Sequence, residues 1–238
     1  MKIMQKIQTK KDYYNNKPVT IAFLGDSVTH GCFECYPTSD TTLEPLYDYK
    51  CAYSTRLKEI LNILYPQVQI NIINSGLSGD SASNGLSRLE RDVLNYKPDL
   101  CVVSYGLNDS CGRNIELYKK SLSGIFSALK EHGIEFIFLT QNSMCTKTDC
   151  RLKEILFKNI SVGFSKIQND GILKQFMEEA KKLCNEYGGQ VCDLYPVWEK
   201  MSECGVDTTA LLANKLNHPI REYHYYIAIK LLETMLGI

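Results

Sequence analysis

The stretch VTIAFLGDSVTHG, residues 19–31, decides the fold. Residues 19–24 form a short, mostly apolar run that stops at Gly25, a pattern that predicts a strand followed by a tight turn. Ser27 lies two residues beyond that glycine. The stretch therefore predicts that a serine hydroxyl is presented at the end of a buried strand.

Outward from this stretch, strand and helix signals alternate along the chain. Leu57, Ile60, Leu61 and Leu64 repeat with the spacing of one helical face, and this pattern stops before Pro66. Such alternation predicts an α/β fold in which a doubly wound, three-layer α/β/α arrangement surrounds a parallel sheet of about five strands. The least regular segment, 143–170, leaves open a helical excursion over the functional site. The predicted strands are 19–24, 68–73, 100–105, 134–139 and 190–194, and the helical stripes lie within 57–64, 86–96, 122–129, 173–184 and 228–235.

Length and charge limit the classes of function. The 238 residues fit one domain, 1–238, in which 1–17 are expected to be an N-terminal extension. Lys and Arg number 27, as do Asp and Glu, so no excess charge indicates binding to nucleic acid or to an anionic membrane. No apolar run approaches the ~20 residues of a membrane span, and the polar start lacks the pattern of a signal peptide. We expect a cytoplasmic protein; the sequence indicates no oligomeric state.

Ten cysteines are unusual for a chain of this class. Cys101 lies in an apolar strand and Cys184 on the apolar face of a helix, so both are expected to be buried thiols. Cys32 and Cys35 form a CxxC pair, but one such pair is weak evidence because a structural zinc site uses four ligands. We expect neither a metal nor an organic cofactor.

Polar residues follow the predicted strands. Ligands of such sheets bind beyond the carboxyl ends of the strands, where segments 25–27, 74–76, 106–109 and 141–143 would meet. Asp26 is also expected to hold the turn through backbone hydrogen bonds, and Asp109 to cap the helix that begins near it. The candidates for substrate contact are Asp26, Asn74, Asp109 and Asn142.

A serine hydroxyl needs a base that takes its proton. Among four histidines, His218 is the best candidate because it lies in a loop stiffened by Pro219. Acyl transfer also needs donors for the developing oxyanion; the candidates are the backbone N–H groups of Ser27 and Gly76 and the side-chain amide of Asn108. The other histidines are assigned to ordinary positions: His30 along the turn after Ser27, His132 at a helix end, and His224 inside the last helix.

These residues resemble the GDSL, or SGNH, hydrolases. Ser27 within GDSVTHG matches that family's nucleophile, Gly76 its oxyanion glycine, Asn108 its oxyanion asparagine, and His218 its base. The resemblance spans nearly the whole chain, from residue 19 to the closing helix. It implies a flavodoxin-like fold and ester hydrolysis through an acyl-serine, without a metal or organic cofactor.

One position departs from the family pattern. The family usually carries an aspartate three residues before the base, and this chain has Lys215 there. The group that orients His218 is therefore open: a backbone carbonyl, Asn214, or Asp207 reaching in from its loop.

The substrate is the least determined part of the prediction. Phe33, Tyr36 and Tyr47 lie in a largely polar segment that could wall a pocket, and the Asn-His-Pro ending resembles the family's sugar esterases. We expect a small-molecule or carbohydrate ester with a short acyl group, and we favour an O-acetyl ester on a sugar. Three alternatives stay open: a thioesterase, an acyltransferase, and a catalytically silent sugar-binding protein.

Overall fold

A five-stranded parallel sheet forms the centre of the structure. The computed structural model describes residues 1–10 and 16–238. The strands stand in the order β4-β1-β5-β6-β7, and every neighbouring pair is parallel. This architecture confirms the predicted fold class. The sheet strands are β1 (Val19–Gly25), β4 (Ile70–Gly76), β5 (Leu100–Ser104), β6 (Glu135–Leu139) and β7 (Gln190–Cys192), and a separate antiparallel hairpin pairs β2 (Cys32–Pro37) with β3 (Leu43–Tyr47).

Helices cover both faces of the sheet. The chain moves from β1 to one edge, β4, and then returns across β5, β6 and β7, so right-handed crossovers place the first connecting helix on the opposite face from the later ones. Accordingly α3 packs against α10, whereas α6 packs against α4 and α8. The helices are α1 (Lys2–Thr9), α2 (Ser27–His30), α3 (Tyr53–Leu64), α4 (Ala82–Asp92), α5 (Leu107–Gly112), α6 (Ile115–Glu131), α7 (Ile155–Asn169), α8 (Ile172–Tyr187), α9 (Tyr195–Glu203) and α10 (Arg221–Leu236).

The N-terminal residues contribute to the core. The sequence predicts an extension over 1–17, but Ile3 and Ile7 of α1 are fully buried. The Glu135 carboxylate accepts hydrogen bonds from the backbone N–H groups of Lys2 and Ile3, at 3.0 and 2.7 Å. It thereby satisfies donors that the first turn of a helix leaves unpaired. Residues 11–15 of the expected extension lie outside the described residues.

Three further segments refine the prediction. β4 starts later than predicted and continues to Gly76, which pairs in register with Gly25. The hairpin of β2 and β3 has no counterpart among the predicted strands. Within the irregular segment 143–170, α7 is a regular helix whose Ile160 and Phe164 face the cavity described below.

The state of the cysteines agrees with the sequence pattern. All ten cysteines are free thiols, and Cys101 and Cys184 are fully buried as expected.

Among residues 1–10 and 16–238, no helix has the length and apolar character that a bilayer crossing requires.

Gly85 allows α4 to approach the sheet closely. A Cβ atom at this position would lie 2.3 Å from the hydroxyl oxygen of Tyr105, which is fully buried. Gly163 in α7 is different, because a Cβ there meets no atom within 4 Å. Alanine at Gly163 therefore changes helix propensity alone, whereas alanine at Gly85 also changes the packing against Tyr105.

We expect Gly85→Ala to lower the free energy of unfolding by about 1–3 kcal/mol, because the added methyl group overpacks the buried interface. Gly163→Ala is the matched control and should raise it by up to about 1 kcal/mol, the advantage of alanine over glycine in a helix. Urea denaturation of both variants measures the two values. Equal stabilisation by both alanines would contradict the close approach of α4 to Tyr105.

Candidate active site

Ser27 is held by a tight turn between β1 and α2. The Asp26 carboxylate accepts hydrogen bonds from the backbone N–H of Val28 and from Nε2 of Gln141, both at 3.0 Å. A Cβ atom at Gly25 would lie 2.1 Å from Oγ1 of Thr29, so the turn requires glycine there. Ser27 thus begins a helix of four residues and faces the cavity.

His218 lies against the Ser27 hydroxyl. The distance from His218 Nε2 to Ser27 Oγ is 2.9 Å, and both side chains are 5% exposed. His218 Nδ1 lies 3.0 Å from the carbonyl oxygen of Phe33. A carbonyl can only accept a hydrogen bond, so it favours the tautomer that carries the proton on Nδ1 and presents the Nε2 lone pair to the serine.

The orienting group is therefore a backbone carbonyl, one of the three possibilities left open by the sequence. Asn214 acts on the loop instead: its Oδ1 accepts the backbone N–H groups of residues 216, 217 and 218, each at 3.0 Å. Asp207 is a wrong candidate, since its carboxylate binds Lys147 Nζ and the N–H of Ala210 on the surface. The Lys215 ammonium donates to the carbonyl oxygen of Ala210.

Gly76 is wrongly predicted as an oxyanion donor. Its N–H donates to Oδ1 of Asn74 at 2.9 Å, and a Cβ atom at Gly76 would lie 2.2 Å from the backbone nitrogen of His30. Gly76 is therefore required for packing α2 on β4. Asn74 is not a cavity residue either, because its Nδ2 donates to the carbonyl oxygen of Thr29 and so ties the same two elements.

The glycine that lines the cavity is Gly79, which the sequence reading missed. It has φ +78°, and its N–H has no hydrogen-bond partner within the described ranges 1–10 and 16–238. Asn108 lines the same cavity and donates one N–H of its amide to the carbonyl oxygen of Asp80 at 2.8 Å, so a second N–H is left. The length of β4 could have indicated Gly79: if this strand continues through Gly76, the turn that follows it falls at residues 77–80.

A buried ion pair supports this turn. One carboxylate oxygen of Asp80 accepts Nε and Nη2 of Arg88, at 2.9 and 2.6 Å, and the hydroxyl of Tyr105 at 2.8 Å. Arg88 also donates to the carbonyl oxygen of Gly25, the residue two before Ser27. The network thus connects the ends of β1, β4 and β5 directly beneath the candidate donors.

Three predicted substrate contacts have structural roles. Asp26 is fully buried, so it holds the turn, as also expected, and does not reach the cavity. Asp109 accepts the N–H of Ala82, at the start of α4 and not of its own helix α5. Asn142 is 4% exposed and donates to the carbonyl oxygen of Asn217, which ties the end of β6 to the His218 loop.

Burial changes the titration of these acids. Removal from water raises the pKa of Asp26 to about 7, although the hydrogen bond from Val28 opposes the shift. Burial likewise raises the pKa of Asp109 to about 6. Both carboxyl groups therefore favour the neutral form more than an exposed acid does.

The cavity above Ser27 has a volume of about 420 Å³. Its polar wall includes Ser78, Asn108 and Asn217, on the side of the strand ends. The hairpin, α7 and Leu216 of the loop that carries His218 supply its apolar wall. Of the aromatic residues expected there, Tyr47 lines the cavity, Phe33 is fully buried behind it, and Tyr36 is 55% exposed. The apolar wall consists of Leu43, Pro45, Tyr47, Ile160, Phe164 and Leu216.

Arg221 clamps the hairpin onto the histidine loop. Its guanidinium makes a two-pronged ion pair with Glu34, at 2.7 and 2.9 Å, and its Nε donates to Asp48 at 2.9 Å. The guanidinium carbon lies 4.4 Å from the centre of the Phe33 ring. Because Arg221 is three residues from His218, this clamp fixes the Phe33 carbonyl relative to the imidazole.

The CxxC pair lies in the same cavity. Cys35 Sγ is 3.9 Å from His218 Nδ1 and 4.0 Å from Nδ2 of Asn214. A hydrogen bond with the Cys32 thiol and the neighbouring His218 and Asn214 lower the pKa of Cys35 to about 5, whereas the pKa of Cys32 is raised. The sequence separates Cys35 from His218 by 183 positions, so only the fold shows this contact.

The other three histidines do not contact Ser27. The His30 ring packs against Tyr47 and Tyr49, and His132 Nδ1 lies 2.8 Å from the carbonyl oxygen of Ala128 at a helix end. His224 lies in α10, as predicted, and is fully buried. Its Nδ1 accepts the N–H of Tyr53 at 3.2 Å, and burial lowers its pKa to about 3.

The raised pKa of Asp26 predicts a pH-dependent stability. Between about pH 4 and pH 7 the folded protein keeps a proton on Asp26 that the unfolded chain has released, so the free energy of unfolding falls as pH rises. Relative to Asp26→Asn, the wild type should lose up to about 1.4 kcal/mol per pH unit in this window. Chemical denaturation of both proteins at several pH values measures the difference. Parallel curves for the two, with exposed Asp40→Asn as control, would contradict the buried, protonated Asp26.

Comparisons with known proteins identify the family of this chain. The sequence profile described as "GDSL-like Lipase/Acylhydrolase family" matches residues 23–224. An acetylxylan esterase of Geobacillus stearothermophilus is 33% identical over 89 residues, 37% of this chain and 39% of the relative. An arylesterase of Vibrio mimicus is 31% identical over 71 residues, 29% of this chain and 36% of the relative. The matched stretches thus span well under half the length of both curated relatives.

Solved structures share the fold at low identity. A crystal structure of an acetylxylan esterase from Geobacillus stearothermophilus superposes with a TM-score of 0.66 and 20% identity, covering 91% of this chain and 94% of that one. A two-domain esterase active on acetylated mannans gives a TM-score of 0.68 and 16% identity, covering 99% of this chain and 52% of that one. With a family profile that matches most of its length, a five-stranded sheet, and a serine in the GDS turn, this chain belongs to the GDSL-like lipase/acylhydrolase family.

Proposed function

We propose that this protein is a serine esterase that hydrolyses a short-chain ester through an acyl-Ser27 intermediate. The observation that carries the proposal is the 2.9 Å contact between His218 Nε2 and Ser27 Oγ inside a cavity. Buried serine and histidine side chains at this distance form the pair that activates a hydroxyl for acyl transfer.

In the proposed reaction His218 Nε2 takes the proton of Ser27 as Oγ attacks the ester carbonyl. The resulting oxyanion accepts hydrogen bonds from the free amide N–H of Asn108 and from the backbone N–H groups of Gly79 and Ser27. His218 then gives its proton to the leaving alcohol. Water, deprotonated by the same nitrogen, releases the acid and restores Ser27.

The Phe33 carbonyl replaces the usual carboxylate only in part. It holds His218 in the required tautomer, and a wrong tautomer alone lowers turnover by about 10⁴. A neutral carbonyl supplies less negative charge to stabilise the imidazolium that forms during the reaction. This proposal therefore predicts a working dyad that does not depend on position 215.

The cavity favours a small acyl group on a polar alcohol. A volume of about 420 Å³ is near the lower end for ligand sites, and one wall is polar. An O-acetyl group on a carbohydrate fits this shape, and the names of the relatives, acetylxylan esterase and an esterase active on acetylated mannans, support the same class of substrate.

The first test compares hydrolysis of p-nitrophenyl acetate, butyrate and octanoate, and acetate release from an acetylated xylo-oligosaccharide. We expect the wild type to prefer acetate, and Ser27→Ala to lose the activity because no nucleophile remains. Exposed Ser39→Ala serves as the matched control and should keep it. Turnover that persists in Ser27→Ala, or none in the wild type on any of these esters, would overturn the proposal.

Asn108→Ala tests the oxyanion donor. Removal of one such donor typically lowers kcat by about 10²–10³, and we expect KM to change much less because the donor acts mainly on the transition state. Steady-state kinetics on p-nitrophenyl acetate give both constants, and exposed Asn185→Ala controls for the loss of an amide elsewhere. A large change in KM at constant kcat would assign Asn108 to substrate binding instead.

A further inference from the structure

Two thiols and one imidazole nitrogen converge beside the candidate dyad. Sγ of Cys32, Sγ of Cys35 and a ring nitrogen of His218 all lie within 4.8 Å of one another. The nitrogen that approaches Cys35 is Nδ1, on the opposite side of the ring from Ser27. The proposed ester hydrolysis uses His218 but neither of the two thiols.

The hairpin places both thiols on one side. Residues three apart on a regular strand point to opposite faces. In β2 the pairing register shifts between Cys32 and Cys35, which indicates a bulge, and both residues line the cavity. The bulge therefore lets both thiols face the cavity, which a regular strand would not allow.

The separations suit a zinc ion. Zn²⁺ binds sulfur at about 2.3 Å and imidazole nitrogen at about 2.0–2.1 Å in tetrahedral geometry, which puts neighbouring ligand atoms roughly 3.5–3.8 Å apart. Cys35 Sγ and His218 Nδ1 are 3.9 Å apart. Two cysteines, one histidine and a water make a complete zinc coordination sphere, and the cavity leaves room for the water. Thiolate and imidazole ligands also select zinc over magnesium or calcium.

We propose that Cys32, Cys35 and Nδ1 of His218 form a zinc site that switches the dyad off. On binding, both sulfurs coordinate as thiolates, and any proton that they still carry leaves to solvent. The Nδ1 proton leaves and one proton is taken up at Nε2, so the imidazole remains neutral in its other tautomer. Nε2 then donates a hydrogen bond to Ser27 Oγ and has no lone pair with which to accept the serine proton.

Zinc and the Phe33 carbonyl therefore compete for the same nitrogen. With the carbonyl as partner, Nε2 is a base; with zinc as partner, it is not. The inhibition rests on the proposed esterase function, whereas the metal site itself does not.

Binding is tested by titrating the full-length protein with Co²⁺ as a spectroscopic substitute for zinc, under a phosphine reductant that does not chelate metals. We expect one cobalt per chain and a sulfur-to-cobalt charge-transfer absorption, displaced by one equivalent of Zn²⁺. Loss of a hydrogen-bond partner of a ligand already weakens metal binding by about 10–100-fold, so Cys35→Ser and Cys32→Ser should each weaken it by at least about 100-fold. Circular dichroism checks that both variants fold.

The double variant Cys150→Ser/Cys204→Ser is the matched control, since both of its thiols are exposed. It should bind cobalt as the wild type does. Absence of the charge-transfer band in the wild type, or its persistence in folded Cys35→Ser, would overturn the zinc site whatever the outcome for catalysis.

The switch is tested by p-nitrophenyl acetate hydrolysis, with each protein normalised to its own activity in chelator. One equivalent of Zn²⁺ should lower the activity of the wild type to that of His218→Ala, and chelator should restore it. Cys35→Ser should resist the same zinc concentration. Cobalt binding together with undiminished esterase activity would reject the switch but keep the site, and a wild type inactive even in chelator would instead reject the proposed esterase.

Discussion

The Asp80–Arg88 ion pair is the interaction on which the site depends. Two charges removed from water are favourable only where each is well bonded, and loss of one partner commonly costs about 3–5 kcal/mol. Here the bonds of Arg88 reach Asp80, Asp92 and the carbonyl oxygen of Gly25, and Tyr105 adds its hydroxyl. The pair therefore fixes the relative positions of the serine turn, the Gly79 turn and Asn108. A mobile donor would lose much of its effect on an oxyanion, because stabilisation depends on donors already in place.

The sheet and the two side chains of the proposed dyad were predictable from the sequence for physical reasons. Strands buried on both faces are continuous apolar runs, so β1, β5 and β6 could be recognised from such runs in the sequence. The polar residues after each strand must then share one edge, which is why Ser27 and Asn108 could be placed together. His218 was chosen on a different ground, its loop stiffened by Pro219, although 191 positions separate it from Ser27.

The errors arose where side-chain identity carries little information. Gly76 and Gly79 look alike in sequence, and only the register with Gly25 shows that the first is still inside the sheet. The partner of His218 is a backbone carbonyl, a group that every residue possesses, so no pattern could indicate it. Asp26, Asn74 and Asn142 are polar residues at strand ends, as predicted. Their hydrogen bonds go to the backbone, to Gln141 and to Ser54, and not to the cavity. The helix α1 was missed because its apolar residues are few and its fixation by Glu135 is long-range.

The use of the Phe33 carbonyl has a consequence for how the cavity and the dyad are connected. The hairpin is at once a wall of the cavity and the support of the histidine, since β2 carries Phe33 and β3 carries Leu43, Pro45 and Tyr47. A side chain that orients a base can be replaced without moving the wall, but a main-chain carbonyl cannot. The cavity wall and the support of His218 are therefore linked: an insertion or deletion in the hairpin that widens the cavity also displaces the atom that sets the tautomer. The side of the cavity formed by α7 carries no such atom, so its shape is not tied to the imidazole in this way.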